Sequence, residues 1–192
     1  CGDGGMVLIR DKKMADKVRM LSMNGLSLDS WNRYSSGPVK TYQILQAGLK
    51  GNLTDIQASI GRTQLKRWPF MKMKRDIIWN FYEQAFGKRE KGHSTHLFTI
   101  LVDDRDYLRR FMFDKGIGTG IHFNPLHLEP AYKFLGHMNN DFPISELIGN
   151  HTISIPVSST MTEEDAERVL EAISLSKVTI LSEERVKKGE KK

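Results

Sequence analysis

Two hydrophobic periods alternate along the chain and outline its elements. Met6-Val7-Leu8-Ile9 is an unbroken apolar run after the glycine-rich start Cys1-Gly2-Asp3-Gly4-Gly5, and it reads as a buried strand. Met14, Val18 and Leu21 fall at i, i+4 and i+7, the stripe of an amphipathic helix over residues 11–20 that Asn24-Gly25 closes. Residues 26–47 carry neither period. Thr54 with Gln57 three positions on is a capping box, which opens a helix to about residue 66. Pro69 is placed to begin a second helix, with Ile77, Ile78, Phe81, Tyr82, Ala85 and Phe86 as its buried face and Gly87 as its stop. Beyond it the pattern predicts a strand at 96–102, a helix at 104–115 ended by Gly116, and a second strand at 117–123. A turn at 125–130, a short helix at 131–135 and a helix at 142–150 follow. A third strand at 152–156 then leads to a last helix, opened by Thr162 and Asp165 and running through Val169, Leu170 and Ile173 to about residue 176. Strands and helices in that order predict a small α/β sandwich with helices on one side of its sheet.

Composition narrows the picture. With 192 residues, 39% hydrophobic and 9% aromatic, the chain can build a core and is not a disordered one. Its formal charge of +6 favours anions, but part of that charge sits in residues 183–192, five Lys/Arg against three Glu, which read as a solvated tail. The single cysteine, Cys1, excludes an internal disulfide framework and fits a reducing, cytoplasmic setting. No apolar run reaches the roughly 20 residues that span a bilayer. The start has no initiator Met and no signal-peptide pattern, so the chain reads as a piece of a longer one. The composition shift around Lys88–Gly92 is the expected domain boundary.

Three features could carry chemistry. Asn52 stands just ahead of the helix that Thr54 opens, and helix mouths attract anions because their first N–H groups are unpaired. The irregular 26–47 segment brings together Trp31, Arg33 and Tyr34. These suit stacking on a base or sugar and pairing with phosphate, although Trp31 could equally tuck into the core. Among six histidines, His122 and His127 sit at a strand end and in the turn after it, where imidazoles can hydrogen-bond a polar ligand. Their H-x4-H spacing matches no zinc pattern, so no metal is expected. His96, inside a predicted strand, reads as a core histidine. Arg62, Lys66, Arg67, Lys72, Lys74 and Arg75 form a basic, solvated face.

Six segments in order carry a resemblance: G-D-G-G-M-V-L; N-G-L-S-L-D-S-W-N-R-Y; G-L-K-G-N-L-T-D-I-Q-A-S-I-G-R-T-Q-L; H-L-F-T-I-L-V; G-I-G-T-G-I-H-F-N-P-L-H-L-E-P-A-Y; and S-I-P-V-S-S-T-M-T-E-E-D. Over about residues 1–175 the chain resembles the DegT/DnrJ/EryC1/StrS family of sugar aminotransferases. Cys1 and Trp31-Asn32-Arg33-Tyr34 resemble the members that aminate UDP-linked 4-keto sugars. The resemblance implies the α/β carboxy-terminal part of a fold-type-I enzyme, with pyridoxal 5'-phosphate (PLP) as cofactor. Glutamate would be the amino donor and a nucleotide-linked keto-sugar the acceptor, in cell-surface polysaccharide or amino-sugar biosynthesis. It also implies a homodimer with no nucleic-acid or membrane partner. Asn52 would reach the cofactor phosphate across the dimer. His122, then His127, would approach the sugar, and Trp31, Arg33 and Tyr34 the nucleotide-sugar. The implied organisation is a large-domain remnant with connecting helices (1–87), a small α/β domain (88–178) and a basic, disordered tail (179–192).

The family's Schiff-base lysine would lie four residues before Cys1, so no catalytic residue is expected within the chain, and it is expected to be inactive alone. Residues 6–9 would then be an edge strand of the large domain with an exposed apolar face. An alternative is a stand-alone, lysine-less subunit that serves interaction or complementation. A third reading is an anion-binding module that contacts nucleic acid through its basic surface.

Overall fold

The computed structural model describes residues 2–27, 42–89 and 92–182. The chain divides into two compact units, Cys1–Arg67 and Trp68–Lys192.

In the first unit, Asp11 caps α1 (Lys12–Leu21) by accepting the Met14 N–H at 2.7 Å. The chain leaves α1 through Asn24 and Gly25, both at positive φ, with the Gly25 N–H on the Met20 carbonyl. Gly25 is required there on two counts: its φ is 72°, and a Cβ would lie 1.6 Å from the Gln46 carbonyl oxygen. That close approach comes from two antiparallel bridges, Met23 with Lys50 and Leu26 with Ile44, which lay residues 44–50 beside 23–26. The apolar run 6–9 is not a strand. A strand exists by pairing, no described residue pairs with it, and Met6, Val7 and Leu8 are exposed.

One helix, α2 (Asp55–Phe86), stands where the sequence predicts two. Pro69 lies inside it, removing one N–H and crowding the preceding turn. The flanking turns nevertheless carry the helix on, and Gly87, at φ 89°, ends it with its N–H on the Glu83 carbonyl.

The second unit is built on an antiparallel pair, β1 (Phe98–Leu101) with β2 (Thr152–Ile155), in the register Phe98↔Ile155 to Leu101↔Thr152. The strand expected at 117–123 is reduced to one antiparallel bridge, Gly120 with Ser154. Gly118 and Gly120 give that segment little strand propensity. The α3 helix (Arg105–Asp114) packs against α5 (Glu163–Ser176). Asp104 caps α3, and Thr162 with Asp165 forms the expected capping box on α5.

Phe98, Ile100, Ile153 and Ile155 meet Ile78, Trp79 and Tyr82 from α2, Leu108 and Met112 from α3, and Ala166, Val169, Ala172 and Ile173 from α5 in a single core. The face that α2 buries is shifted from the expected one: Trp79 is inside, while Ile77 and Ala85 are exposed. Tyr82 fixes the helix to the end of β2 by donating its O–H to the Pro156 carbonyl at 3.0 Å. His96 is exposed ahead of β1, beside Arg75 at 3.4 Å, and is not a core residue. Between α3 and β2 the chain makes two 3-10 helices, Leu126–Leu128 and Pro130–Leu135, where one short helix was expected. It then enters α4 (Pro143–His151), which leads directly into β2.

Candidate functional site

β2 and the segment beside it place His122. Ser154 is buried in β2, and its backbone N–H and carbonyl both bond to Gly120, at 2.8 and 3.0 Å. This pairing brings the Ser154 hydroxyl within 2.8 Å of His122 Nδ1. The half-buried imidazole lies over Gly120, and the Phe123 ring meets it edge-on at 4.9 Å. His122 Nε2 has no hydrogen-bond partner among the described residues. The ring is therefore held on one side and open at one nitrogen, which suits hydrogen bonding to a ligand.

His127 is placed differently. It lies in the first 3-10 helix with a side chain only 8% exposed, and its Nε2 is 3.0 Å from Glu146 Oε1. The Phe142 ring packs against it at 4.8 Å. Glu146, near the start of α4, also accepts the N–H groups of Asn140 and Phe142. Its carboxyl is held below the ordinary glutamate range, first by the Asn140 N–H, with His127 and the Phe142 N–H adding to it and burial opposing. His127 thus ties the 137–142 loop to α4. Among the described residues no hydrogen bond or ring contact joins it to His122.

Asn52 is exposed three residues before α2, and its side chain makes no hydrogen bond to a described residue. The Gln57 N–H is taken by Thr54 Oγ1 and the Ala58 N–H by the Thr54 carbonyl. That leaves the Asp55 and Ile56 N–H groups at the open end of the helix. One primary amide beside open helix donors fits an edge contact to a phosphate, not an enclosed cofactor pocket. Trp31, Arg33 and Tyr34, together with Cys1 and the tail 183–192, lie outside the described residues. An open groove of about 590 Å³ is lined by Asp106, Arg109, Arg110, Phe113 and Asp114 with residues 117–119, and none of the expected site residues lines it.

Residues 1–174 match the family model described as the DegT/DnrJ/EryC1/StrS aminotransferase family. The chain belongs to that family. It is 37% identical over 201 residues to the uncharacterised protein MJ1066 of Methanocaldococcus jannaschii, covering 96% of this chain and 51% of that one. It is 34% identical over 190 residues to the spore coat polysaccharide biosynthesis protein SpsC of Bacillus subtilis, covering 90% of this chain and 49% of that one. The chain thus spans about half the length of these curated relatives. Among solved structures, the PMP form of a putative sugar aminotransferase from Streptococcus pneumoniae, Spr1654, superposes with a TM-score of 0.77 at 25% identity, over 88% of this chain and 46% of that one. The fold is accordingly that of part of a fold-type-I aminotransferase, as the sequence predicts. Among the described residues no helix is long and apolar enough to cross a membrane.

Sequence reasoning singled out His122 but missed Ser154, Gly120 and Glu146. Ser154 carries a signal: a serine between Ile153 and Ile155 in a fully buried strand must find a hydrogen-bond partner. Glu146 carries none, because its partners lie up to 19 residues away.

Proposed function

We propose that the chain forms part of a PLP-dependent enzyme that transfers an amino group from glutamate to a nucleotide-linked keto-sugar, in the cytoplasm and as a homodimer. The match of residues 1–174 to an aminotransferase family carries this reading. The name of SpsC, a polysaccharide biosynthesis protein, supports a sugar as acceptor. Asn52, with its free amide beside the open end of α2, would hold the cofactor phosphate. When bound, the cofactor supplies the electron sink that lets an amine and a ketone exchange places. His122 would hydrogen-bond the sugar through Nε2, and Trp31, Arg33 and Tyr34 would meet the nucleotide. His127, engaged with Glu146, would shape the pocket through the loop it ties down. The assigned domains, 1–87 from the large domain and 88–178 as the small one, belong to the same proposal.

The test is to express the open reading frame that encodes the chain, as far as it runs in both directions. Amino transfer from glutamate to a panel of UDP- and dTDP-linked keto-sugars is then measured. The expected result is PLP-dependent transfer to at least one of them, weakened when Asn52 is replaced by Ala through looser cofactor retention. Absence of transfer across the panel overturns the reading, and unchanged PLP affinity in Asn52→Ala overturns the role given to Asn52.

A further inference from the structure

We infer that Ser154 and Gly120 are positioning residues for His122: they hold its neutral ring with the proton on Nε2 and present that N–H as a donor to an oxygen of the bound sugar. The inference rests on the proposal that His122 faces the sugar.

The hydroxyl of Ser154 decides the tautomer. Ser154 is 5% exposed, and its backbone N–H and carbonyl are both taken by Gly120. Its hydroxyl has one partner among the described residues, His122 Nδ1 at 2.8 Å. If Nδ1 carried the ring proton, Oγ would have to accept it, and the buried hydroxyl proton would be left with no acceptor among the described residues. If Nδ1 is bare, the hydroxyl donates to it and both groups are satisfied. The neutral ring then carries its proton on Nε2, the nitrogen with no protein partner.

Gly120 supplies the space. A Cβ there would lie 2.5 Å from His122 Cε1, 3.2 Å from Nδ1 and 3.5 Å from Nε2, so any side chain displaces the imidazole from Ser154. The glycine is not at positive φ, so its use is room for the ring and not a special turn. Phe123, edge-on at 4.9 Å, closes a further side. Backbone, hydroxyl and aromatic ring thus fix the imidazole, and only Nε2 is left to read a ligand. An N–H at that point suits a hydroxyl, carbonyl or phosphate oxygen and offers nothing to an ammonium group. The ring recognises the oxygen-bearing sugar, and proton abstraction is not its task.

Tautomers are read by long-range nitrogen–proton NMR of the histidine rings in the 192-residue chain, at a pH where the imidazoles are neutral. His122 is assigned by its disappearance in His122→Gln. The wild-type chain is expected to show a protonated Nε2 and a bare Nδ1 for His122. Ser154→Ala is expected to average the two nitrogens, and Ser154→Thr, which keeps the hydroxyl, to restore the pattern. Gly120→Ala, which keeps Ser154 but moves the ring, is also expected to average them. A protonated Nδ1 in the wild type overturns the inference even if every variant fails to fold, as does a pattern unchanged in both Ser154→Ala and Gly120→Ala. The spectra contain no sugar, so they are independent of the function proposed above. That function is tested separately: an unchanged KM for the keto-sugar in His122→Gln would remove the sugar contact and leave the tautomer result standing.

Discussion

Glu146 gathers three donors onto one carboxylate: His127 Nε2 at 3.0 Å, the Asn140 N–H at 2.8 Å to Oε1 and 3.0 Å to Oε2, and the Phe142 N–H at 3.3 Å. All three favour the ionised form and together outweigh burial, which is why its pKa lies below the ordinary value. A depressed pKa contributes stability that is present above the unfolded-state pKa and is lost as the pH falls through the folded-state value. Protection of the Asn140 and Phe142 amides from hydrogen exchange should therefore fall on the acid side, below the usual glutamate range, and Glu146→Gln should abolish that step. Protection that stays flat down to global unfolding would contradict this. Tyr82 makes a simpler case. Burial, and then the charge of Asp165, push its phenol well above the usual range, so it stays protonated and keeps donating to the Pro156 carbonyl. Tyr82→Phe should cost about 1 kcal/mol in urea unfolding, the net worth of one such bond. An unchanged midpoint would mean that ring packing alone holds the helix there. These side chains separate what sequence can tell from what it cannot. Histidines 122 and 127 look alike in a run of letters, and only partners 32 and 19 residues away make one an open donor and the other a tie.

At the level of elements, local signals were legible and pairings were not. Asp11, Asp104 and the Thr162/Asp165 box cap groups three residues on, and the three helices they open start where the sequence predicts them. Strands β1 and β2 were recognisable from their apolar runs. In residues 117–123 Gly118 and Gly120 weaken the strand signal, but how far pairing is lost on either side of Gly120 is a tertiary fact that composition does not give. Pro69 is the opposite case: its missing N–H suits a helix start, but here a long helix absorbs the defect. Thr162→Ala removes the acceptor for the Asp165 N–H and should destabilise α5 by about 1 kcal/mol, while Thr162→Ser, which keeps the accepting hydroxyl, should leave stability unchanged, as read by thermal unfolding. Pro69→Ala returns a donor to the Leu65 carbonyl, so the amide at 69 should become protected from exchange without loss of helix content. An exposed, fast-exchanging amide at that position would show that the helix is interrupted there in solution.

The whole molecule is unevenly provided with a core. Among the described residues the fifteen apolar side chains that form the core lie between Ile78 and Ile173, in the second unit. In the first unit Gly25 alone is buried among the described residues, while Met6, Val7, Leu8, Leu49, Ile56 and Leu65 are exposed. Ordering a residue costs roughly 1–2 kcal/mol of conformational entropy, which only burial offsets on this scale. Residues 2–27 and 42–67 therefore need a surface to cover them. The relatives, about twice as long as this chain, have the length to supply one, and a second copy of the chain could supply another. Expressed as these 192 residues, the chain should give a protease-resistant fragment that begins within α2 and keeps β1, β2, α3 and α5, with early cleavage before Asp55. It should also self-associate, sedimenting above 22.0 kDa in a concentration-dependent way, and Leu8→Asp with Ile56→Asp should shift it toward the monomer. A monodisperse monomer over a broad concentration range, with residues 2–27 as resistant to protease as β1 and β2, would mean that the exposed side chains of the first unit find their cover within the chain itself.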